Sequence, residues 1–269
     1  MKNKSSINMS IKNVLKKAQK NKYAIGQFNF STLEQLKGII SAIGKKPVIL
    51  GMSQSEVRYI GLEEAIALVE IAKVKYNVNL FLNLDHGKDI RLIKKAIDYG
   101  FPMVHFDGSR LGLEKNIKYA KKIVQYAHKK GVLVEGELND IKKGNLTSLE
   151  DAKKFISKTG VDSLAIAIGN IHGYHKNVKL NFDRLKELNK LKIFLVLHGG
   201  SGISDKQIKK AVKLGIVKVN VNTELRMSWK KGLVNNLKTK EIKPYNILPL
   251  VQKEIEKKVK EKLNLFLRK

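Results

Sequence analysis

Three histidines stand at positions a metal ion would need. His86 in LNLDHG, His172 in GNIHGYH and His198 in LVLHGGSG each follow a short apolar run. Asp85 directly precedes the first of them. Three neutral imidazoles can hold a catalytic zinc ion and leave one coordination position open, with an adjacent carboxylate ready to act as general base. The histidines are separated by 86 and 26 residues. That excludes a local zinc-finger pattern and calls for a fold that gathers strand ends.

The surrounding sequence supplies such a fold. Strand-like runs at 24–29, 47–52, 79–84, 103–107, 133–137, 163–168, 194–198 and 216–221 alternate with amphipathic stretches at 34–43, 62–75, 90–99, 114–130, 149–159, 182–189 and 205–214. Thr147-Ser148 and Ser204-Asp205 are candidate helix caps. Eight βα units in one unbroken pattern predict an α/β fold, a single (β/α)8 TIM barrel. The barrel is expected over about residues 20–224, with a C-terminal helical extension over about 225–269 and a break near Lys243-Pro244. No composition shift marks a boundary, so the chain reads as one domain.

Catalytic groups in such barrels sit at the C-terminal strand ends. Asp85, His86, His172 and His198 fall there, as do Asp107 and Glu137 at the ends of the fourth and fifth strands. Strand seven runs into His198-Gly199-Gly200-Ser201-Gly202, and strand eight ends in Asn220-Val221-Asn222-Thr223. Glycines let backbone N–H groups converge on an anion, and phosphate sites after strands seven and eight recur in this fold. No G-x-G-x-x-G follows the first strand, so no dinucleotide fingerprint is present.

Composition removes several alternatives. There are no cysteines, which excludes disulfides and thiolate ligands. The N-terminal stretch lacks the apolar segment of a signal peptide, and no uncharged apolar run is long enough to span a bilayer, so a cytoplasmic protein without a membrane partner is expected. The formal net charge is +29. The excess is almost all lysine, spread over polar helix faces, whereas arginine is preferred for bidentate phosphate and base contacts. The lysines therefore read as solvated surface whose field favours anionic metabolites, with no specific nucleic-acid partner.

The motifs QFNF, LDHG, FDGS, VEGELN, GVDSLAIAIGNIHG, LVLHGGSGI and KVNVNTELR together resemble the class II, zinc-dependent ketose-bisphosphate aldolases, the fructose- and tagatose-bisphosphate group. The resemblance spans nearly the whole chain. It implies Asp85 as catalytic acid/base and His86, His172 and His198 as zinc ligands. Asp107 and Glu137 would make contacts behind the ligands or offer an alternative metal position. Gly173, Gly199, Gly200 and Ser201, with Asn220, Val221, Asn222 and Thr223, would bind dihydroxyacetone phosphate. Asn29 would be an active-site asparagine and Ser53 a hydroxyl near that phosphate. The resemblance further implies Zn2+, a monovalent cation (Na+ or K+) near the phosphate, a homo-oligomer (dimer or tetramer), and reversible cleavage of a ketose 1,6-bisphosphate in glycolysis or related carbohydrate metabolism.

Two departures stand out. The family's long mobile loop after Glu137 is replaced by a short segment, where Asp140 is the nearest acid. Asn222 stands where several fructose-bisphosphate enzymes have Asp.

The chemistry agrees with the residues. Cleaving a C–C bond beside a ketone needs an electron sink at the carbonyl and a base at the distant hydroxyl. A Schiff-base route would need a lysine near a strand end; strand six has none, and Lys218 lies inside strand eight, where a structural role is favoured. A sugar-phosphate epimerase would need a second acid/base, for which Asp107 and Glu137 are the candidates. A non-catalytic sugar-phosphate- or metal-binding barrel is argued against by the intact Asp85 and histidine trio. His105 and Glu135 read as buried packing partners, His128 as an outer-face residue, and His175 as a minor competitor for metal. The apolar positions Leu225, Trp229, Leu233, Leu237, Ile247, Leu248, Leu250, Val251, Ile255, Val259 and Leu263 exceed what an outer ring needs, and part of this tail is expected to serve a homodimer.

Overall fold

The computed structural model describes residues 9–138, 145–175 and 177–267. Eight parallel strands close into a barrel in sequence order: β1 (Ile25–Asn29), β2 (Val48–Ser53), β3 (Leu80–Gly87), β4 (Met103–Asp107), β5 (Leu133–Glu137), β6 (Ser163–Ala165), β7 (Phe194–Leu197) and β8 (Ile216–Val221). Pairing of β1 with β8, Gln27 opposite Asn220, completes the ring. The strands are buried on both faces, which is why they read as continuous apolar runs.

Eleven helices are described: α1 (Ile11–Asn21), α2 (Leu33–Ile43), α3 (Gln54–Ile60), α4 (Leu62–Tyr76), α5 (Ile90–Asp98), α6 (Leu113–His128), α7 (Leu149–Thr159), α8 (Phe182–Asn189), α9 (Asp205–Lys213), α10 (Thr223–Asn236) and α11 (Pro244–Phe266). Ser148 caps α7 as expected, its side chain accepting from Asp151 N. Ser204 occupies the cap position of α9 but makes no capping hydrogen bond; the expected cap is absent there.

Helices α1 and α3 were not anticipated. α1 carries its apolar face, Ile11, Val14, Leu15 and Ala18, onto Ile25, Ile49, Phe81, Met103, Leu133, Phe194 and Val217. It closes the barrel at the end opposite the strand C-termini. Its lysine-rich sequence hid an amphipathic stripe only a few residues long. α3 starts with a capping box, in which Ser53 and Glu56 satisfy one another's backbone N–H groups.

Most of the apolar tail packs on its own barrel. Val251, Ile255, Val259, Leu263 and Phe266 of α11 are buried in the main core, as is Leu225 of α10. Within the barrel a polar layer underlies the strand ends: Asn83 Nδ2 donates to Gln27 Oε1 (2.8 Å), and Lys218 Nζ to Glu135 Oε2 (2.7 Å), both members of the latter pair fully buried. Lys218 is thus a structural partner, as its place inside the strand implied. A buried charge is tolerated only when paired.

Candidate active site

Strand β3 presents Asp85 and His86 side by side, although consecutive strand residues normally face opposite sides. The ladder to β4 explains it. Leu84 pairs with Val104 but Gly87 with Phe106, so β3 contains one extra residue. His86 absorbs the irregularity with φ +51°, a left-handed conformation uncommon for a residue with a Cβ. Both side chains consequently line one cleft of about 420 Å3 at the C-terminal strand ends. His172, His198, Asp107 and Glu137 share it.

The imidazoles are oriented by carboxylates behind them. His198 Nε2 lies 2.6 Å from Glu135 Oε1, and His86 Nδ1 3.3 Å from Asp107 Oδ2. A carboxylate accepts, so these nitrogens carry the protons. The remaining nitrogens, His198 Nδ1 and His86 Nε2, then face each other with lone pairs at 3.1 Å. Two lone pairs at that distance require a cation between them, a proton or a metal ion. Carboxylate-backed histidines are the usual setting of a bound metal. Glu137 adds an oxygen to this donor set: its buried Oε2 lies 3.2 Å from His105 Nε2 and 3.5 Å from His86 Nδ1. The donor set therefore fits a metal ion.

The expected trio meets at His86. Its ring centroid lies 4.8 Å from that of His198 and 4.9 Å from that of His172, while His172 and His198 are 6.0 Å apart. Ligand atoms of His86, Glu137 and His172 cluster within 4.8 Å of one another, as do those of Asp85, His86, His105 and His198. Burial drives His172 down to about 4 and His198 to about 3, so both rings offer lone pairs near neutrality. Burial also pushes His86 down, but Asp85 and Asp107 outweigh it and its net shift is upward.

Asp85 is nearly buried and held from two sides: Oδ2 accepts from Asn29 Nδ2 and Oδ1 from Asn220 Nδ2, both at 3.2 Å. Burial pushes its carboxyl up, yet its cationic surroundings, His86 first and Lys218 with it, hold it well below the ordinary range. It is a carboxylate at any working pH. His105, expected merely to pack, is part of the site's floor. The His86 backbone N–H donates to its Nδ1 (3.0 Å). The surrounding carboxylates favour a charged ring, but a main-chain N–H can only donate, so Nδ1 keeps its lone pair and the ring is the neutral Nε2–H tautomer.

His172 reaches the cleft because β6 ends early, at Ala165 and not at residue 168 as the apolar run suggested. Asn170 replaces the missing ladder. Its Oδ1 accepts from Ile168 N (2.8 Å), and its Nδ2 donates to Ile166 O (3.2 Å) and His198 O (3.0 Å). One asparagine, overlooked in the sequence, thus ties together the segments carrying two histidines. Gly199 completes the junction with φ +62°; a Cβ there would lie 2.4 Å from Ile171 O. His175 donates to His172 O (3.0 Å) and His128 pairs with Asp162, so neither faces the cleft.

Of the residues expected to bind phosphate, Ser53, Gly173, Gly199, Ser201, Asn220, Asn222 and Thr223 line the cleft. Gly200 and Val221 do not: Gly200 N donates to Asn220 O (3.1 Å), and Val221 is fully buried in β8. Asn29 stands behind Asp85. Thr223 begins α10, whose N-terminus presents the positive end of the helix dipole and whose Glu224 N donates to Ser201 Oγ (3.3 Å). Asp140 lies outside the described residues.

Sequence reasoning also missed Glu56. Its Oε2 accepts from Asn29 Nδ2 (2.9 Å) and Ser53 N (2.7 Å), and its Oε1 from Asn222 Nδ2 (3.3 Å) and Arg226 Nη2 (2.9 Å). This buried carboxylate links the Asp85 side of the cleft to the phosphate side. A polar residue on a short unpredicted helix gave no signal in one sequence.

Known proteins resemble this chain in sequence and fold. Residues 9–269 match the family described as fructose-bisphosphate aldolase class-II. A sulfofructosephosphate aldolase of Alkalicoccus urumqiensis is 36% identical, with 96% of each chain covered. A fructose-bisphosphate aldolase of Staphylococcus aureus (strain N315) is also 36% identical, again over 96% of both chains. The crystal structure of the YdjI aldolase from Escherichia coli K12 superposes with a TM-score of 0.87 at 33% identity, covering 95% of this chain and 96% of that one. With a closed barrel, a carboxylate-backed histidine cluster beside Asp85, and a match over nearly its full length, the chain belongs to the class-II fructose-bisphosphate aldolase family.

Proposed function

We propose that this protein is a zinc-dependent lyase that reversibly cleaves a ketose 1,6-bisphosphate, fructose 1,6-bisphosphate in the first place, to dihydroxyacetone phosphate and glyceraldehyde 3-phosphate. The observation that carries the reading is the lone-pair confrontation of His86 and His198 directly beside the ionised Asp85. His86, His172 and His198 would hold the ion, with Glu137 as an alternative oxygen donor. Bound there, zinc supplies a Lewis acid for the ketone oxygen. Asp85, fixed by Asn29 and Asn220, takes the proton of the hydroxyl on the carbon beyond the scissile bond and returns it in the condensation direction. The α10 N-terminus with Gly173, Gly199 and Ser201 holds the phosphate of the dihydroxyacetone half. The names of the two aldolase relatives each carry two anionic groups, and the basic mouth of this cleft suits such substrates.

The reading also takes the protein as a cytoplasmic homodimer. Met227, Val234, Leu237, Ile242 and Tyr245 remain exposed on and after α10 and support a second copy there. No helix among the described residues is long and apolar enough to cross a membrane. The test is a coupled cleavage assay of zinc-loaded protein with fructose and tagatose 1,6-bisphosphates in parallel, with bound metal measured. Turnover of fructose 1,6-bisphosphate that a chelator abolishes and zinc restores is expected. Preference for the tagatose isomer would reassign the sugar. Full turnover in verified metal-free protein would overturn the mechanism.

A further inference from the structure

Glu56 stands where three strands meet. Strand β2 ends at Ser53, in register with Asp85 of β3, and Gly51 of β2 is in register with Asn29 of β1. A Cβ on Gly51 would collide with Asn29 Oδ1, so glycine there leaves room for the Asn29 amide. The capping box of α3 then fixes the carboxylate. Ser53 N donates to Glu56 Oε2 (2.7 Å), and Glu56 N donates to Ser53 Oγ (3.4 Å). Glu56 is thereby held against Asn29 and is nearly buried.

An amide side chain can turn either its oxygen or its NH2 to a neighbour, so a buried row of amides needs a partner that decides the direction. One such row runs through Asn83, Gln27 and Asn29, all buried. Asn83 Nδ2 donates to Gln27 Oε1 (2.8 Å), Gln27 Nε2 to Asn29 Oδ1 (3.5 Å), and Asn29 Nδ2 to Glu56 Oε2 (2.9 Å). A carboxylate only accepts, so Glu56 at the end of the row obliges Asn29 to present its NH2. That same NH2 donates its other proton to Asp85 Oδ2 (3.2 Å). Turned the other way, Asn29 would set an oxygen against the Asp85 carboxylate.

Resting on the aldolase reading, we infer that Glu56 is a positioning residue for the cleavage step: it fixes the amide of Asn29 and, through it, the Asp85 carboxylate that takes the substrate proton. Glu56 is not among the residues lining the cleft, so it acts through its neighbours. What Asn29 needs from it is an acceptor at the Oε2 position. The Ser53 N–H belongs to the main chain and cannot turn away, so Glu56→Gln would keep an oxygen at that position. Its NH2 would face Asn222 and Arg226, which now donate to Oε1. Those two side chains can rotate in response, while Asn29 stays as it is.

The experiment measures cleavage of fructose and tagatose 1,6-bisphosphates by zinc-loaded wild type, Glu56→Ala, Glu56→Gln, Asn29→Ala and the double alanine variant, with a thermal melt of each. Glu56→Ala should lose about 10–100-fold in kcat with little change in KM, the scale expected when a reacting group is displaced by up to an ångström. Glu56→Gln should recover most of that loss. In the Asn29→Ala background, removing Glu56 should cost nothing further, because the effect runs through Asn29. Equal damage from the alanine and glutamine changes, or full additivity of the two alanine changes, overturns the proposal and leaves the aldolase reading standing. Should Glu56→Ala not fold, the Asn29 side-chain amide resonances decide the matter in wild type and Glu56→Gln, identified by their absence from Asn29→Ala. Both protons protected from solvent exchange in both proteins uphold the positioning, and a freely exchanging NH2 in either refutes it. If wild type cleaves neither sugar, the aldolase reading fails instead, and the resonances alone decide whether Glu56 fixes the Asn29 amide.

Discussion

Replacing Asn170 with alanine should loosen the metal site from behind, without touching an imidazole ring. The side chain is buried and makes three hydrogen bonds, accepting from Ile168 N and donating to Ile166 O and His198 O. At about 1 kcal/mol net for each lost bond, the variant is less stable by about 3 kcal/mol, more if the buried Ile168 N–H finds no water. For a chain of this size that lowers Tm by roughly 6–12 °C. The second consequence is specific. Asn170 ties the segment bearing His172 to the carbonyl of His198, so its loss should weaken zinc binding by about 10–100-fold, the usual cost of removing an outer partner of a ligand. Thermal melts of metal-free protein and competition titrations against a chromogenic chelator measure the two effects separately. A variant that melts early but binds zinc with wild-type affinity would show that His172 is positioned by something else. A variant unchanged in both would refute the coupling altogether.

Asp85→Asn should retain the fold and zinc, since Asn29 can still donate to the amide oxygen and Asn220 can turn its unpartnered Oδ1 to the amide NH2, yet lose cleavage by about 10²–10⁴-fold; near-normal turnover would move the base elsewhere. Gly199→Ala should lower both Tm and zinc affinity, because the added methyl meets Ile171 O and the left-handed backbone suits glycine; a crystal structure with the His172 segment in place would contradict this. The metal-free protein should lose stability as pH falls from about 6.5 towards 4. His172 and His198 titrate lower when folded, at about 4 and about 3, so below their unfolded value near 6.5 the unfolded chain binds more protons. His86, shifted upward, works in the opposite sense. Urea midpoints at pH 7 and pH 5 should differ, and the difference should shrink in His172→Asn; equal midpoints would contradict the burial argument.

The barrel was legible because strands buried on both faces leave uninterrupted apolar runs, and the site because ligand histidines and glycines sit at the ends of those runs. What escaped was set by local geometry with no periodic signature. β6 was read too long because Ile166, Ala167 and Ile168 are as apolar as a strand, yet Ile168 N and Ile166 O bond to Asn170 and the backbone of Ala167 bonds to Thr147. His105 was taken for packing because a single histidine inside a strand does not reveal that His86 N will donate to it. Glu56 and α1 lay in polar-looking stretches whose buried contacts exist only in three dimensions. The tail read as surplus apolar surface because nothing in its sequence shows that α11 docks against α2 and β1.

The extra residue in β3 separates two properties by phase alone. Side chains along a strand alternate, and the only residues between Leu84 and Gly87 are Asp85 and His86, so restoring the alternation would mean deleting one of them. The barrel ladder on either side would persist, but only one of the two groups would remain to face inward. A shortened chain of that kind would be either a metal binder without its base or a base without its full set of ligands. In this protein the union of chemistry and metal is therefore written in the length of a strand as much as in its letters.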